Sequence, residues 1–201
     1  MWVVKLGGSF FDAPELIDWV KTIVQYGAGK IVLVPGGGPF ADQVRHAQKQ
    51  YQFNDQVAHH MALHAMDQFG LFLIGIAESH GLEIIPASSL EEIEQALMEQ
   101  QIPVWLPSYQ LRTVQEIKKN WDVTSDSLSA WLARQLNSEQ LILIKRVHVD
   151  LKMTLAELQR HNLVDSAFKD FLEKVNFKTI YFSSNQQLAL KEMLITYHSK
   201  P

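Results

Sequence analysis

Two glycine-rich segments carry the residue types that a phosphate site needs. Residues 36–38 are three glycines that follow an apolar run of β type and precede a helix-type pattern, and residues 7–9 follow a similar run containing Lys5. Glycines let backbone N–H groups approach an anion, a helix N-terminus adds partial positive charge, and a lysine adds a full one. Two such turns predict two phosphates that face each other, a donor and an acceptor. The candidate residues are Lys5, Gly7, Gly8, Ser9, Gly36, Gly37 and Gly38.

Each turn has a plainer interpretation when it is taken alone. A Gly-Gly pair after a strand is more often an ordinary turn than a phosphate site. Neither segment matches the P-loop pattern Gly-x-x-x-x-Gly-Lys-Ser/Thr or the dinucleotide spacing Gly-x-Gly-x-x-Gly. The two commonest classes of nucleotide-binding motif are therefore disfavoured.

A polar cluster and a pair of cations complete the set. Thr124, Ser125 and Asp126 open a predicted helix, and Lys145 with Arg146 ends a predicted strand. Phosphoryl transfer needs cations and backbone amides that bind the phosphates, and a group that holds those cations in place. Asp126 can be that group, by binding a lysine or the shell of a metal. Two alternatives stay open, because the cluster also has the composition of a helix N-cap and the cations also suit a solvated strand end.

Three histidines lie on one predicted helix. His60 and His64 have the i, i+4 spacing of a metal-binding pair, and His59 precedes them. Met61 stands where a metalloprotease motif has glutamate, so contact with the substrate or packing is favoured over a metal site. No metal-binding side chains are predicted.

The elements that must position these residues alternate between strand and helix. Because ligands collect beyond the carboxyl ends of parallel strands, the four polar features are expected at one edge of a doubly wound α/β sheet. Strands are predicted at residues 2–6, 31–34, 82–86, 102–106, 141–144 and 179–182. Helices are predicted at residues 14–26, 40–51, 54–80 with interruptions at Gly70 and Gly75, 89–100, a segment beginning near 124, 154–161, 165–174 and 186–195. Residues 107–120 suit either a loop that closes over the site or a surface connection, and the second is favoured.

Composition narrows the function classes further. With 201 residues, 47% hydrophobic and 20% charged, the chain is predicted to be one globular domain spanning 1–201. A net charge of −4 without a basic block argues against nucleic acid as a partner, and the absence of cysteine excludes disulfides and thiolate chemistry. No apolar run is long enough to span a membrane and no leader pattern is visible, so no membrane association is expected and the cytoplasm is the default compartment. The general prevalence of dimers leaves a homo-oligomer open.

Three strings in this order resemble the amino acid kinase superfamily. They are residues 4–9 (Val-Lys-Leu-Gly-Gly-Ser), 34–38 (Val-Pro-Gly-Gly-Gly) and 122–127 (Asp-Val-Thr-Ser-Asp-Ser) with the helix that follows. Residues 58–70 and 121–133 are most similar to the branch that contains the aminomethylfuranyl-methyl phosphate kinases of methanofuran biosynthesis.

The resemblance implies a three-layer αβα sandwich with a mainly parallel central sheet, of the carbamate kinase-like type. It implies ATP with Mg²⁺ as cofactors and a small phosphomonoester, a furan-methyl phosphate, as the acceptor of the γ-phosphoryl group. Lys5, Asp126 and Lys145 would be catalytic, and Gly7, Gly8, Ser9 and Lys145 would hold the nucleotide phosphates. The acceptor would contact Gly36, Gly37, Gly38, His59, His60, His64, Thr124 and Ser125.

The chain departs from the family pattern after Lys145. Residues 147–149 (Val-His-Val) stand where many relatives have an acidic residue and glycine, and residues 162–169 replace a glycine-rich turn with a lysine. Lys169 and Lys145 are both candidates for that lysine. A protein of this fold that binds nucleotide or phosphate without catalysis is therefore the alternative function, and aspartate-kinase-like chemistry on a carboxylate is less favoured.

Overall fold

A six-stranded sheet forms the centre of the computed structural model, which describes residues 1–150, 152–173 and 175–198. The strand order is β3-β4-β2-β1-β5-β6, and every neighbouring pair is parallel. The predicted α/β class with a parallel central sheet is confirmed. The strands are β1 (Trp2–Leu6), β2 (Ile31–Pro35), β3 (Ile85–Ala87), β4 (Pro103–Trp105), β5 (Gln140–Ile144) and β6 (Lys178–Phe182).

Helices follow the strands along the chain. They are α1 (Leu16–Gly27), α2 (Gly38–Tyr51), α3 (Asp55–Ser79), α4 (Leu90–Met98), α5 (Pro107–Leu111), α6 (Ser125–Gln135), α7 (Leu155–Arg160), α8 (Phe168–Phe171) and α9 (Gln187–His198), with a 3₁₀ turn at Gly8–Phe10. Two buried clusters cover the two faces of the sheet. One lies under α4 to α8 and the other under α1 and α9, while α3 contributes to both.

Successive side chains of a strand lie on opposite faces of the sheet, and this alternation decides which side chains lie next to α6. Val3 of β1 and Leu143 of β5 face the cluster under α6, while Val4 and Ile144 face the opposite cluster. Lys5 follows Val3 by two positions, as Lys145 follows Leu143. Because side chains at i and i+2 lie on the same face, both lysines project toward α6 from the carboxyl ends of adjacent strands.

Several predicted boundaries differ from the structure. The third and fourth strands are shorter than predicted, since β3 and β4 have three residues each. The predicted interruptions at Gly70 and Gly75 are wrong, because α3 is continuous over 25 residues. Gly70 is buried against Leu106, whose side chain would lie 2.6 Å from an added Cβ, and a glycine in this place serves close packing rather than a break.

The segment after β4 is packed against the body of the protein. It begins with α5, and its later residues bury Ile117 and bring the Glu116 carboxylate to Arg134 at 3.0 Å. Farther along the chain, only α8 is helical within the predicted helix 165–174, and residue 174 lies outside the described residues. The single-domain prediction for residues 1–201 remains a prediction, since residues 199–201 also lie outside them.

Candidate functional site

Two lysines share one buried carboxylate at the carboxyl edge of the sheet. The Lys5 Nζ lies 2.8 Å from Asp126 Oδ1, and the Lys145 Nζ lies 2.7 Å from Oδ1 and 2.6 Å from Oδ2 of the same side chain. Lys5 and Asp126 are each only 4% exposed. The structure thus brings together the three residues that the sequence predicts to be catalytic, in a cluster with a formal charge of +1.

The cluster shifts the pKa of its members. Burial alone would raise the pKa of Asp126, but the ammonium groups of Lys145 and Lys5 outweigh it and lower that pKa to about 2. Burial lowers the pKa of Lys145 to about 8, against the opposing attraction of Asp126. Lys145 shares its one counter-ion with a second ammonium, so its charge is only partly compensated until an anion arrives.

The start of α6 is held by a residue from elsewhere in the chain. Thr124 is the N-cap of α6, but its side chain makes no capping bond within the helix. Its Oγ1 instead donates to Asp165 Oδ2 at 2.8 Å, and the same oxygen accepts the amides of Thr124 at 2.9 Å and Ser127 at 3.0 Å. The interpretation of residues 124–127 as a helix N-cap is thus confirmed in position, since Thr124 is the N-cap, but the acceptor of the first amides is a carboxylate 38 to 41 residues away.

The two glycine turns pack backbone against backbone. A Cβ on Gly8 would lie 2.1 Å from Gly38 N, and one on Gly36 would lie 2.3 Å from Gly8 N. Gly38 also has a φ of +54°, in the left-handed region that favours glycine. Side chains at these positions would force the turns apart, so the sequence needs glycine here for the close approach itself.

The amides of the two turns divide into two kinds. Gly7 N donates to Ile144 O at 3.0 Å and Gly36 N donates to Leu6 O at 2.9 Å, so these amides extend the sheet. The amides of Gly8, Gly37 and Gly38 donate to no other residue in the described part of the chain, and all three residues line one cavity. Of the predicted phosphate-binding glycines, Gly8, Gly37 and Gly38 are thus placed to bind an anion, whereas Gly7 and Gly36 support them.

That cavity measures about 440 Å³ and has walls of two characters. One wall is polar and contains both glycine turns, Ser9, and the start of α6 at Thr124 and Ser125. A second part of the lining is apolar and aromatic. It consists of Phe11, Ala62, Leu63, Met66, Trp121, Val123 and Leu128.

Two arginines also line this cavity, each paired with an aspartate. Arg146 binds Asp12 at 2.7 Å and donates to the carbonyl oxygen of Ser9 at 3.1 Å. Arg45 binds Asp42 at 2.8 Å, and its guanidinium lies 4.4 Å from the centroid of the Trp121 ring. The interpretation of Lys145 and Arg146 as solvated charges at a strand end is wrong for Lys145, whose side chain is only 13% exposed in the cluster, whereas Arg146 is exposed to solvent and also bridges to the first glycine turn.

The three histidines do not converge. His59 is 5% exposed and lines the main cavity, and its pKa is lowered by burial. His60 and His64 line a separate cavity of about 420 Å³ with Ser108, Tyr109 and Arg112. Among the described residues, no group of three or more His, Asp or Glu side chains is arranged to hold a metal ion.

Sequence reasoning missed several residues that the structure places at the site. The sequence predicts Asp165 only as the first residue of a helix over 165–174, and neither Trp121 nor Arg45 is among the predicted site residues. None of them lies in a glycine turn or at a strand end, so no local pattern marks them. Lys169, one of the two candidates for the lysine of the family's glycine-rich turn, is exposed on α8, whereas Lys145 is in the cluster.

Comparison with known proteins identifies the group to which this geometry belongs. The family model described as the amino acid kinase family matches residues 1–149, which is most of the chain. The chain belongs to the amino acid kinase family. The resemblance noted in the sequence is thereby confirmed, and the matched residues include Lys5, both glycine turns, Asp126 and Lys145.

The relatives of this family member are kinases. The [5-(aminomethyl)furan-3-yl]methyl phosphate kinase of Methanocaldococcus jannaschii is 31% identical over 144 residues, which are 71% of this chain and 64% of that protein. The chain therefore spans less than two thirds of the length of this curated relative.

Solved structures of other kinases share the fold. The UMP kinase of Ureaplasma parvum has a TM-score of 0.73 at 17% identity, covering 97% of this chain and 92% of that one. The uridylate kinase of Archaeoglobus fulgidus has a TM-score of 0.67 at 15% identity, covering 96% and 95%. An isopentenyl phosphate kinase has a TM-score of 0.64 at 14% identity, covering 98% and 96%. In the described part of the chain, no helix is both long and apolar enough to cross a membrane.

Proposed function

We propose that this family member is an ATP-dependent kinase that transfers the γ-phosphoryl group of ATP to the phosphate of a small phosphomonoester. An oxygen of the acceptor phosphate attacks the γ-phosphorus, the bond from that phosphorus to the β–γ bridging oxygen breaks, and ADP and a diphosphate are formed. The observation that carries the proposal is the Lys5–Asp126–Lys145 cluster beside two glycine turns with available amides.

The residues of the site suit this reaction because phosphoryl transfer depends on position and charge rather than on covalent catalysis. Lys5 and Lys145 would stabilise the negative charge on the transferred group, and Asp126 would hold both ammonium groups at one place. The amides of Gly8 and Ser9 would bind the transferred phosphoryl group, while Gly37 and Gly38 would bind the acceptor phosphate. Ser125 and His59 of α3 would complete the acceptor side, and Thr124 would line it while both of its donors stay bound to Asp165.

A furan-methyl phosphate is the acceptor that we favour. The apolar and aromatic wall of the cavity suits a small flat ring, and the methanogen relative is named as a kinase of such a compound. This supports a place in the biosynthesis of methanofuran or an analogue. His60 and His64 line a different cavity and are not needed for this acceptor. The cytoplasmic location and a homo-oligomeric state remain predictions from the sequence.

The Mg²⁺ that the resemblance implies finds no preformed protein site among the described residues. Asp126 is occupied by two lysines, and Asp12 and Asp42 are each paired with an arginine. Mg²⁺ is commonly bound largely by substrate phosphates and water, so it would enter as part of the nucleotide substrate. We assign no step of the reaction to it.

The test is a steady-state assay of ADP release with Mg-ATP and a panel of phosphomonoesters that includes a furan-methyl phosphate. We expect Lys5→Ala to lower kcat by about 100-fold to 1,000-fold, the size of effect seen when one preorganised electrostatic group is removed. Lys178→Ala is the matched control, because Lys178 is exposed at the opposite end of the sheet. An undiminished rate in folded Lys5→Ala would contradict the role of Lys5.

The same assay separates the kinase from the alternative function. A protein that is stabilised by phosphomonoesters but releases no ADP with any member of the panel would be a phosphate-binding protein of this fold. Thermal unfolding of each variant, measured with and without inorganic phosphate, shows whether a lost rate reflects lost folding.

A further inference from the structure

Asp165 makes an unusual set of contacts for a surface connection. It lies between α7 and α8, and its Oδ2 accepts the backbone amide and the hydroxyl of Thr124 at 2.9 and 2.8 Å and the amide of Ser127 at 3.0 Å. Its Oδ1 accepts the hydroxyl of Ser127. In the described part of the chain no lysine, arginine or histidine pairs with this carboxylate within salt-bridge distance. All four of its hydrogen bonds therefore go to the first turn of α6 and its N-cap.

The three residues after Asp165 hold the same region. Ser166 Oγ donates to Asp122 Oδ1 at 2.9 Å, and Ala167 N donates to Asp122 O at 3.0 Å. Phe168 is fully buried in the core cluster that also contains Leu128 of α6. Residues 165–168 thus form a continuous clamp on residues 122–128, and we refer to them as the clamp.

The clamp holds the residues on both sides of Asp126, the carboxylate that binds the two lysines. Asp126 lies between Thr124 and Ser127, the two residues that Asp165 binds, and its carboxylate is shared by Lys5 and Lys145. The first amides of a helix have no intrahelical acceptor and need one from outside. Here that acceptor comes from residue 165, beyond residues 1–149 that match the family model.

We propose that Asp165 is a positioning residue for phosphoryl transfer, which keeps Asp126 between Lys5 and Lys145 by holding Thr124 and Ser127 on either side of it. This inference rests on the proposed kinase function. A small displacement of Asp126 would separate the two ammonium groups from the place where negative charge develops. Misplacement of about 1 Å at a catalytic site can cost about 100-fold in rate.

The chemistry of the carboxylate supports a role beyond folding alone. Burial raises the pKa of Asp165, and the negative charge of Asp126 raises it further, while the hydrogen bonds from Ser127 and Thr124 oppose that rise. A second carboxylate near Asp126 is thus unfavourable by itself. It is tolerated because a carboxylate can accept four hydrogen bonds at once, which a serine or alanine cannot.

Three variants test the proposal. Asp165→Ala removes every bond to α6, whereas Asp165→Asn keeps an oxygen that can replace Oδ2 toward the amides of Thr124 and Ser127. Asp170→Ala is the matched control, since Asp170 is exposed on α8 and its side chain makes no ion pair with a described residue. We expect kcat to fall about 100-fold in Asp165→Ala, with KM for ATP and acceptor nearly unchanged, and to be largely restored in Asp165→Asn.

Two further measurements do not depend on turnover. Amide hydrogen exchange should be faster at Thr124 and Ser127 in Asp165→Ala and close to wild type in Asp165→Asn. Calorimetric titration with inorganic phosphate gives the number of folded binding sites in each preparation. The kcat of each variant is then expressed per folded site. If the wild-type protein turns over no phosphomonoester, the proposed function fails, while the exchange and titration results still report whether Asp165 orders the site.

The outcomes are distinct. Equal loss of kcat in Asp165→Ala and Asp165→Asn, or an unchanged kcat in folded Asp165→Ala, would overturn the proposal. If Asp165→Ala does not fold, Ser127→Ala removes one of the four bonds and should lower kcat by a smaller factor. Where Asp165→Ala does fold, its effect and that of Ser127→Ala should not add in the double variant, because Asp165 acts partly through Ser127, and full additivity would also count against the proposal.

Discussion

Lys145 differs from Lys5 in how its charge is compensated. It contacts both oxygens of Asp126, yet burial lowers its pKa from 10.5 to about 8, because two ammonium groups depend on one carboxylate. A phosphate that enters the site supplies the missing negative charge and stabilises the protonated form. The cluster is therefore incomplete without an anion, which is the property that a phosphoryl-transfer site needs.

This pKa predicts two opposite responses to pH. The folded pKa of Lys145 is below its unfolded value, so between pH 8 and 10.5 the unfolded chain binds more protons, and stability to unfolding rises with pH. The quantity kcat/KM, which reports the free enzyme, should instead fall above pH 8, by about tenfold per unit, as Lys145 loses its charge.

Thermal unfolding and initial rates between pH of about 7.5 and 9.5 measure both responses, because Lys145 passes through its pKa of about 8 in this range. Lys145→Met should lose the rise in stability that the wild type shows, and Lys178→Ala should keep it. Identical pH slopes in wild type and Lys145→Met would show that Lys145 titrates normally.

The glycine turns act at the scale of elements, because they join β1 and β2 to the 3₁₀ turn and α2. Their close contact at Gly8 and Gly38 sets the distance between the predicted donor and acceptor phosphates. Phe11, which follows the first turn, packs against Phe40 of α2 and Phe72 of α3, with ring centroids 5.7 and 4.7 Å apart, and so links the segments that leave the two turns. A rigid junction of this kind favours in-line alignment of two phosphates.

Two glycine substitutions should have opposite effects on stability. Gly8→Ala places a methyl group 2.1 Å from Gly38 N and should destabilise the fold by about 1–3 kcal/mol and weaken binding of phosphomonoesters. Gly75→Ala adds a methyl group in open space within α3 and should stabilise the fold by about 0.5–1 kcal/mol.

Urea unfolding measures both changes, and calorimetry with inorganic phosphate measures the binding. If Gly8→Ala bound phosphate as tightly as Gly75→Ala, the contact between the turns would have no part in the site.

At the scale of the whole molecule, the candidate site is assembled from distant parts of the chain. β1, α2, α3, α6 and the residues that follow β5 all contribute to the cavity or the cluster, and the clamp adds residues 165–168. A ligand that bridges these parts should therefore stabilise the entire fold rather than one loop.

We expect Mg-ATP and one phosphomonoester each to raise the melting temperature. A ligand at 100 times its dissociation constant adds about 2.7 kcal/mol, which corresponds to about 5–10 °C for a domain of this size. A thermal-shift titration with nucleotides and a panel of phosphomonoesters measures this. Stabilisation by phosphomonoesters alone would contradict the kinase and favour the phosphate-binding alternative.

The sequence by itself determined the fold class and the core of the candidate site. The sequence shows these features as local patterns: apolar strand runs such as 31–34, helix starts, and glycine turns. They are visible locally because the period of a strand or helix decides which neighbouring residues are buried. Lys5 and Lys145 could be placed at strand ends for the same reason, and the parallel sheet then required those ends to meet at one edge. Asp126 at the start of α6 was identified from its string of polar neighbours.

Only the tertiary structure decided which groups complete the site and which do not. The clamp by Asp165, the pairing of Arg146 with Asp12 and the separation of His60 and His64 from His59 depend on packing between segments far apart in sequence. Neighbouring histidines on one helix point in different directions, since each residue turns by about 100°. Long-range contacts leave no local periodicity, and so hydrogen bonds across 38 residues or more, such as those of Asp165, are visible only in the folded chain.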